Sequence, residues 1–433
     1  MSERLLRGPL LHCLAEPDLD NNAVEYIDDA LLWLKNGLVH QCSTFAAASG
    51  SLTATQLSKV EDCSQYLMVP GFVDCHIHYP QTEMIAAYGA QLLAWLNTYT
   101  FPVESTFGDP DKAAAVSKVF IEQLLTNGTT TALVFCSVHP ESVDALFTEA
   151  QAKNMRIIAG KVMMDRNAPD SVLDTAQTSY TQSKALIQRW HGVDRLQYAV
   201  TPRFAPTSTD EQLAAAGRLL AEHEGVYLHT HLSENIDEIA WVKELFPKAK
   251  NYLDVYDQAG LLGKRSVFAH GIHLCDSECE RLAATDSALA HCPTSNLFIG
   301  SGLFPMQRLQ SHGIKIGMGT DVGGGTSFNM LQTLADGYKV QQLSGYNISP
   351  EQNFYLATLG GAKALDMHDK IGNFAVGKEA DFLLLDPQAT PLLKFRSQHC
   401  QSWRDTLFVL QTLGDDRVIA QTNVVGAVVS TKL

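Results

Sequence analysis

Short apolar runs alternate with amphipathic helical patterns along most of the chain. Eight runs have the length and composition of buried strands, and they cover residues 71–78, 129–136, 156–164, 196–203, 226–234, 266–271, 288–293 and 315–321. Near-continuous apolar strands that alternate with helices indicate a parallel sheet that is covered on its outer face. Eight such units predict an α/β fold, a closed (β/α)8 TIM-like barrel, better than an open doubly wound sheet.

The stretch 208–225 illustrates the helical pattern. Its leucines and alanines form an apolar stripe, and Ser208 and Glu211 have the spacing of a capping box. Gly225 stands where a glycine often follows the end of a helix. We therefore expect a helix that is capped at Ser208 and ends before Gly225.

The two ends of the chain lack this alternation. Residues 30–42, 377–386 and 424–433 have instead the pattern of short strands. We expect residues 1–65 and 375–433 to form one composite β-sandwich domain from both termini. Residues 66–374 would then form the barrel, against which the sandwich packs.

Composition and charge exclude several classes of function. The 433 residues carry a formal net charge of −15, which disfavours sequence-independent binding to nucleic acid or to an anionic membrane. No secretory signal is recognisable, and no apolar run approaches the roughly 20 residues of a membrane span. Nine cysteines without a CxxC pair disfavour a disulfide framework. We therefore expect a cytoplasmic protein that acts on a small molecule.

Metal-binding side chains stand where several predicted strands end. His76 and His78 end the first strand, His231 the fifth, His270 the sixth and Asp321 the eighth. In a barrel these strand ends meet at one mouth, where such enzymes place their chemistry. Three neutral imidazoles and one carboxylate can hold a single divalent metal with room for a water molecule. The sequence therefore predicts a mononuclear metal site.

Acid and base groups accompany the predicted ligands. A bound metal lowers the pKa of its water to about 7, which makes hydroxide available at neutral pH. Asp321 can contact the metal and also accept the proton of that water. Glu234, three residues after His231, can carry protons to a nitrogen of the substrate. His270 is placed to hold the attacking oxygen or the substrate, and its role as a ligand stays open.

Other residues imitate functional groups but fit the site less well. His229 is on the same strand face as His231 but two residues deeper, and His291 ends the seventh strand, where we expect a structural hydrogen bond near the rim. His139–Pro–Glu imitates the zinc motif of cytidine-type deaminases, but no PCxxC follows. Lys161 could bridge two metals as a carbamate. It lies on the third strand, whereas the fourth strand ends in Thr201–Pro202–Arg203 without a lysine, so one metal is the better prediction.

The ordered motifs PGFVDCHIH, HLSEN, AHG and GTDVGGG resemble the amidohydrolase superfamily, specifically its mononuclear, metal-dependent deaminase branch. The resemblance covers nearly the whole chain, including the segment GNFAVGKEADFLLLD near the C-terminus. It implies a hydrolase that releases ammonia from a ring. By position it makes His76, His78, His231 and Asp321 the metal ligands, Glu234 the proton shuttle and His270 a catalytic partner.

A narrower resemblance begins after the first strand. The segments HIHYPQTEMIAAYGAQLLAWLNTYTFPVE, TPRFAPT, NYLDVYDQAGLL and AHCPTSNLFIGSG are similar to the members of this branch that act on guanine. This resemblance implies conversion of guanine to xanthine in purine catabolism, with one zinc ion per chain, or Fe2+ in its place, in a homodimer. It implies that Gln81, Arg203 and Phe204 bind the purine. His229 departs from the pattern, because an uncharged amide is expected there.

The chemistry of these side chains supports a purine in part. Gln81 can donate and accept hydrogen bonds, which complements the N1–H and the C6 carbonyl of guanine. Arg203 offers donors to ring acceptors, and Phe204 offers a flat face for stacking. The segment Leu92–Phe107, with Trp95, is either a wall that excludes water from the purine or an ordinary packed helix and loop. His231 and His270 would contact the reacting end of the substrate.

Several alternatives stay open at this level. Another aminopurine, a pterin, a pyrimidine or a triazine could be the ring that a member of this superfamily deaminates or hydrolyses. A cyclic-amide hydrolase would typically need two metals. A non-catalytic barrel is a third alternative, although such relatives tend to lose ligands and none is missing here.

Overall fold

Two sheets form the framework of this computed structural model, which describes residues 3–17, 23–88 and 91–432. Within these ranges the strands are β1 Glu3–Cys13, β2 Val24–Lys35, β3 Leu38–Thr44, β4 Val60–Asp62, β5 Leu67–Pro70, β6 Phe72–His78, β7 Thr129–Phe135, β8 Arg156–Gly160, β9 Val162–Met163, β10 Gln197–Pro202, β11 Tyr227–Leu232, β12 Ser266–His270, β13 Ala288–His291, β14 Lys315–Met318, β15 Phe382–Leu385, β16 Ile419–Val424 and β17 Ala427–Thr431.

The α-helices lie mostly between the strands of the barrel. In the described residues they are α1 Phe45–Ser49, α2 Ala54–Leu57, α3 Leu92–Trp95, α4 Phe101–Glu104, α5 Pro110–Thr126, α6 Pro140–Ala152, α7 Ala176–Trp190, α8 Asp210–Glu222, α9 Ile236–Leu245, α10 Tyr252–Gln258, α11 Asp276–Ala284, α12 Pro293–Phe298, α13 Met306–Ser311, α14 Met330–Leu343, α15 Pro350–Leu356, α16 Leu359–Ala364, α17 Pro391–Ser397 and α18 Trp403–Leu413. Of these helices, none is both long and apolar enough to cross a membrane.

The predicted barrel is confirmed. Its parallel strands follow the order β6, β7, β8, β10, β11, β12, β13 and β14, and the short β9 extends the third position beside β10. All eight predicted strands are present, with ends that shift by up to three residues. The segment after β14 closes the barrel onto β6: the amide of Asp321 donates to the carbonyl of His76, and the amide of His78 donates to the carbonyl of Val322, each at 2.9 Å.

Helix α5 shows how local sequence builds the outer layer. Asp109 caps it by accepting hydrogen bonds from the amides of Asp111 and Lys112, and Pro110 occupies the first turn, where its missing N–H costs nothing. Apolar residues recur at the spacing of one helical face. The face that they bury consists of Ala113, Val116, Phe120, Ile121, Leu124 and Leu125. This face joins the core between the barrel and its helices.

The predicted cap of the helix in 208–225 is wrong by one residue. Helix α8 begins at Asp210, and Thr209 rather than Ser208 is its N-cap, accepting from the amide of Gln212. Thr209 is held there by a contact that lies far away in sequence. Its amide and its hydroxyl both donate to the carboxylate of Asp165, at 2.8 and 2.5 Å. This tertiary contact decides between two adjacent hydroxyl residues.

Both ends of the chain contribute to the second sheet, as predicted. Its order is β17, β16, β15, β5, β1, β2 and β3, with β4 paired to β1. Strand β5 pairs with β1 and β15 and leads after one residue into β6, so it joins this sheet to the barrel. The division at residues 65 and 375 stays a prediction, and residues 1–2, 18–22 and 433 of the predicted small domain lie outside the described residues.

The interior of the barrel changes character along its axis. Its lower part is filled by apolar side chains from seven strands, β6, β7, β8 and β10 to β13. This cluster contains Val73, Cys75, Leu133, Ile158, Ala199, Tyr227, Val267, Ala288 and Ala290. Burying such side chains stabilises the fold by about 25 cal/mol per Å² of apolar surface. Above this layer, toward the C-terminal ends of the strands, the buried side chains include several histidines and carboxylates. That polar layer contains the predicted site.

Candidate active site

Four side chains that could bind a metal meet at the C-terminal end of the barrel. His76 and His78 are on β6, His231 is on β11, and Asp321 follows β14. Nε2 of His76 lies 3.1 Å from Oδ1 of Asp321 and 3.2 Å from Nε2 of His78. Nε2 of His78 lies 3.4 Å from the same oxygen of Asp321 and 3.3 Å from Nε2 of His231. The structure therefore brings together the whole predicted set of ligands.

The spacing of these atoms fits a divalent metal ion. Ligand atoms that surround a zinc ion tetrahedrally at about 2.1 Å are about 3.4 Å from one another. The distances of 3.1 to 3.4 Å within the cluster agree with this spacing. Imidazole nitrogen and carboxylate oxygen are also ligand types that zinc and iron accept. The four residues can therefore hold one such ion.

Hydrogen bonds on the far sides of the rings prepare two of the imidazoles as ligands. Nδ1 of His231 donates to the carbonyl oxygen of Arg203 at 2.8 Å, which leaves Nε2 without a proton. Nδ1 of His76 lies 2.7 Å from Nε2 of His229, so a proton on Nδ1 of His76 can be donated to that ring. Such partners commonly fix the tautomer and the orientation of metal-binding histidines.

Burial keeps the three imidazoles uncharged. It lowers the pKa of His78 to about 3 and lowers the pKa of His76 and of His231 below the ordinary value of histidine. Burial would raise the pKa of Asp321, but its contacts with His76 and His78 outweigh this effect and hold the pKa well below its usual range. At neutral pH the cluster therefore consists of three neutral imidazoles and a carboxylate, the form in which these groups bind metals.

A second acid and a fourth histidine adjoin the cluster. Oε2 of Glu234 lies 3.4 Å from Nε2 of His270, and the hydroxyl of Ser301 donates to Oε1 of Glu234 at 2.9 Å. Burial, together with the nearby charge of Asp321, raises the pKa of Glu234 to about 8. This carboxyl group is therefore mostly protonated at neutral pH and can deliver a proton.

His270 faces both carboxyl groups. Its Nε2 lies 3.7 Å from Oδ2 of Asp321, and its Nδ1 lies 2.9 Å from Oδ1 of Asn296. Because an amide oxygen only accepts, Nδ1 carries a proton and Nε2 is directed at the carboxyl groups. His270 and Asp321 have φ angles of 71° and 52°, a left-handed conformation that non-glycine residues adopt rarely and that is concentrated at functional sites.

One cavity connects the cluster with the predicted purine-binding residues. All the predicted site residues except His76 line it, while His76 lies behind His78 in the ligand cluster. The cavity is lined by His78, Gln81, Leu92, Trp95, Leu96, Arg203, Phe204, His231, Glu234, His270, Ile299, Asp321 and Gly324. The lining thus combines the carboxyl groups and imidazoles of the candidate catalytic and ligand residues with the amide of Gln81, the guanidinium of Arg203 and the rings of Trp95 and Phe204.

The segment Leu92–Phe107 is both a wall and a packed element. Leu92, Trp95 and Leu96 line the cavity, and they belong to a buried apolar cluster with Phe101 and Phe204. The indole nitrogen of Trp95 donates to the carbonyl of Ala87 at 3.3 Å. The two interpretations of this segment are therefore compatible, because one face packs while the other limits access of water to the cavity.

Glu104 is a component of the site to which the sequence assigned no role. It is fully buried at the end of α4, and it accepts hydrogen bonds from Gln81 at 3.1 Å and from Arg203 at 2.7 Å. The sequence feature that could have indicated a role for Glu104 is that it is the single acid within the largely apolar segment 92–107. A carboxylate in such a setting needs a partner, but the partners are not evident from the chain order.

Asp74 is a second such component, below the ligands. Its carboxylate accepts from the amide of Thr320 at 3.1 Å, from the hydroxyl of Thr320 at 2.5 Å and from the amide of His76 at 3.2 Å. Burial raises its pKa to about 7. Asp74 thus joins the two chain segments that carry His76 and Asp321.

The remaining histidines and Lys161 lie outside the cavity lining. His229 contacts His76 deep in the barrel. The hydrogen bond expected for His291 is wrong: neither ring nitrogen has a partner among the described residues, and the ring instead stacks on Phe304 with centroids 4.2 Å apart. Lys161 pairs with Asp174 at 2.5 Å. A buried ion pair occupies the amine that a bridging carbamate would use.

A separate group of His12, Glu25 and Cys42 is on the terminal sheet, but its chemistry does not suit a metal. Nδ1 of His12 accepts from the amide of Phe374 at 3.0 Å, so the proton of the neutral ring is on Nε2. Nε2 then donates to Glu25 at 2.8 Å and has no free lone pair. Burial also raises the pKa of Cys42 to about 12, which disfavours the thiolate.

Comparison with known proteins shows the family of the chain. The model of the amidohydrolase family matches residues 67–429, and the chain belongs to that family. Among its relatives is the guanine deaminase of Escherichia coli, which is 56% identical over 95% of this chain and 94% of its own length. The solved E. coli enzyme superposes with a TM-score of 0.96 at 54% identity and covers 99% of this chain and 100% of its own.

A second solved structure is more distant in sequence. It is a guanine deaminase from C. acetobutylicum with guanine bound in its active site. This protein is 28% identical, has a TM-score of 0.90, and the alignment covers 99% of this chain and 100% of that chain. The fold is therefore shared across the full length of both proteins.

Proposed function

We propose that this enzyme hydrolyses guanine to xanthine and ammonia. The observation that carries the proposal is a single cavity in which the ligand cluster and Glu234 adjoin Gln81, Arg203 and Phe204. The identity of 56% with the E. coli guanine deaminase supports it, as does the fold shared with a relative that holds guanine in its active site. Membership of the amidohydrolase family accounts for hydrolysis as the reaction type.

His76, His78, His231 and Asp321 would hold the metal, one Zn2+ per chain or Fe2+ in its place. A bound ion of this kind lowers the pKa of a water molecule to about 7 and so supplies hydroxide at neutral pH. The neutral imidazoles and the ionised carboxylate are the forms that the site needs to bind it.

The chain's own residues move the protons. Asp321 accepts the proton of the attacking water, and Glu234, which is protonated below its pKa of about 8, donates to N3 of guanine and so activates C2. His270 hydrogen-bonds the oxygen that adds to C2. The proton held by Asp321 then passes to the exocyclic amine, and ammonia leaves. The hydroxyl at C2 returns a proton to Glu234 as the C2 carbonyl forms, and xanthine keeps the proton on N3.

Binding of the purine is assigned to the other residues of the cavity. Gln81 pairs with N1–H and the C6 carbonyl, Arg203 donates to ring acceptors, and Phe204 stacks against the ring. Trp95 and its apolar neighbours exclude bulk water, which strengthens each of these polar contacts.

Purified protein of known metal content tests the proposal when it is incubated with guanine. Formation of equal amounts of xanthine and ammonia is the expected result. A metal-replete protein that is inert toward guanine but releases ammonia from another aminopurine, a pterin, a pyrimidine or a triazine would shift the function to that ring. Two metal ions per chain would favour a cyclic-amide hydrolase. A homodimer, a cytoplasmic location and a role in purine catabolism stay predictions, and the first of them can be measured by sedimentation.

A further inference from the structure

Glu104 links two residues of the proposed purine site without lining the cavity itself. Its side chain is fully buried behind Gln81 and Arg203. Oε1 accepts from Nε2 of Gln81 at 3.1 Å, and Oε2 accepts from Nη1 of Arg203 at 2.7 Å. Both oxygens are thus paired, which a buried carboxylate requires. The acid is placed to control the two side chains that would meet the purine.

The amide of Gln81 is held at both of its ends. Nε2 donates to Glu104, and Oε1 accepts from the amide of Gly323 at 3.1 Å. A carboxylate only accepts and a backbone N–H only donates. A reversed amide would direct its oxygen at the carboxylate of Glu104 and its NH2 group at the N–H of Gly323. The contacts therefore select one of the two orientations.

This orientation leaves Gln81 one N–H on Nε2 and one lone pair on Oε1 for a ligand. The edge of guanine presents a donor, N1–H, beside an acceptor, the C6 carbonyl, and it matches the amide in that order. A purine with an amino group at C6 presents an acceptor at N1 beside an N–H donor. In the same pose its N1 acceptor would face the oxygen of the amide, and its amino group would face the N–H of the amide.

We propose that Glu104 is a positioning residue that determines substrate specificity. It holds the Gln81 amide in the orientation that accepts a lactam edge and rejects a 6-amino edge. The inference rests on the proposed function, because it concerns which 2-aminopurine can present C2 to Glu234 and the ligand cluster. A site whose polar groups are left mispaired rejects the wrong substrate by tenfold or more.

The test compares guanine with 2,6-diaminopurine as substrates of the wild-type enzyme and of Glu104→Gln. Reaction at C2 converts guanine to xanthine and 2,6-diaminopurine to isoguanine, and these two products are measured. The readout is the kcat/KM for guanine divided by the kcat/KM for 2,6-diaminopurine. A glutamine at position 104 can offer either its oxygen or its NH2 group, so only the N–H of Gly323 still favours one orientation of the Gln81 amide. We expect the ratio to fall at least tenfold, roughly the cost of one mispaired buried group, with the metal content unchanged. An equal loss for both substrates would overturn the proposal.

A double-mutant cycle separates this role from a merely structural one. Gln81→Met removes the amide and should lower the same ratio by at least tenfold, by the same mispairing argument. If Glu104 selects through Gln81, then Glu104→Gln should change the ratio little in the Gln81→Met background. Gln81→Met also keeps the test decisive should Glu104→Gln fail to fold, because a ratio unchanged by Gln81→Met refutes selection by the amide.

Glu379→Gln is the matched control. Glu379 also pairs with arginines, Arg156 and Arg195, but at the junction with the terminal sheet. Its loss should leave the substrate ratio at the wild-type value. Failure of the proposed function is recognisable separately: a wild-type protein that makes no xanthine refutes that function. A wild-type protein that makes xanthine, with a ratio insensitive to Glu104, refutes only the inference about specificity.

Discussion

Nε2 of His229 lies 2.7 Å from Nδ1 of His76, and both rings are fully buried. For Nε2 of His76 to bind a metal, its Nδ1 must carry the proton and donate it to an acceptor. His229 is that acceptor, which gives a physical role to the position where the sequence departs from the expected amide. Its other nitrogen, Nδ1, has no partner among the described residues.

His229→Ala should therefore weaken metal binding by about 10- to 100-fold, the usual effect of losing a partner behind a metal ligand. Competition of the purified protein with a chelator measures this directly and does not depend on activity. His229→Gln should retain most of the affinity, because the amide oxygen can accept the same hydrogen bond. His291→Gln, another buried histidine at the barrel's end, is the control. Unchanged affinity in His229→Ala would contradict the assignment.

Asp321→Asn should lower kcat by about a thousandfold or more, because it removes both a ligand and the proposed base. Metal content and kcat are to be measured on the same preparations. Asp366→Asn is a suitable control, since Asp366 has the same φ angle of 52° but pairs with Lys264 and Arg265. Near-normal turnover in Asp321→Asn would show that another residue accepts the proton.

The proposed role of Glu234 as proton donor predicts a specific pH dependence of kcat/KM. Because the reaction needs the protonated form of Glu234, kcat/KM should fall as the pH rises through its pKa of about 8. The hydrogen bond from Ser301 lowers that pKa, so Ser301→Ala should move the alkaline limb to higher pH. Glu234→Gln should keep the metal, lose activity about 10²- to 10⁴-fold and lack this limb. If the alkaline limb of the kcat/KM profile does not shift in Ser301→Ala, that limb reports the titration of a group other than Glu234.

The meeting of the candidate metal ligands could be predicted from the sequence because the barrel topology brings the ends of its strands together. Each strand end reaches the same mouth, so His76, His231 and Asp321 meet although they are far apart in the chain. Glu104 was not predictable in this way. Its contacts with Gln81 and Arg203 depend on how α3 and α4 turn back over the cavity, and no local pattern encodes that path. Likewise, only the contact with Asp165 places the cap of α8 on Thr209.

Arg195 allows a test of how the terminal sheet is fastened to the barrel. It precedes β10 and pairs with Asp381 at 2.5 Å and with Glu379 at 2.6 Å, at the end of the barrel opposite the cavity. Arg195→Met would leave the buried carboxylate of Asp381 without its cation. We expect the free energy of unfolding to fall by about 3 to 5 kcal/mol, as for other buried pairs that lose one partner.

Urea unfolding measures this loss, and kcat/KM for guanine should stay close to the wild-type value because the cavity is remote. Arg417→Met is the matched control, since Arg417 pairs with Asp415 on the surface, where such a pair contributes about 0 to 1 kcal/mol. If both variants lose equally little, the hydrogen bond from the amide of Val425 at 2.8 Å is sufficient to satisfy Asp381. The apolar contacts between the two sheets would then be what holds the terminal sheet in place.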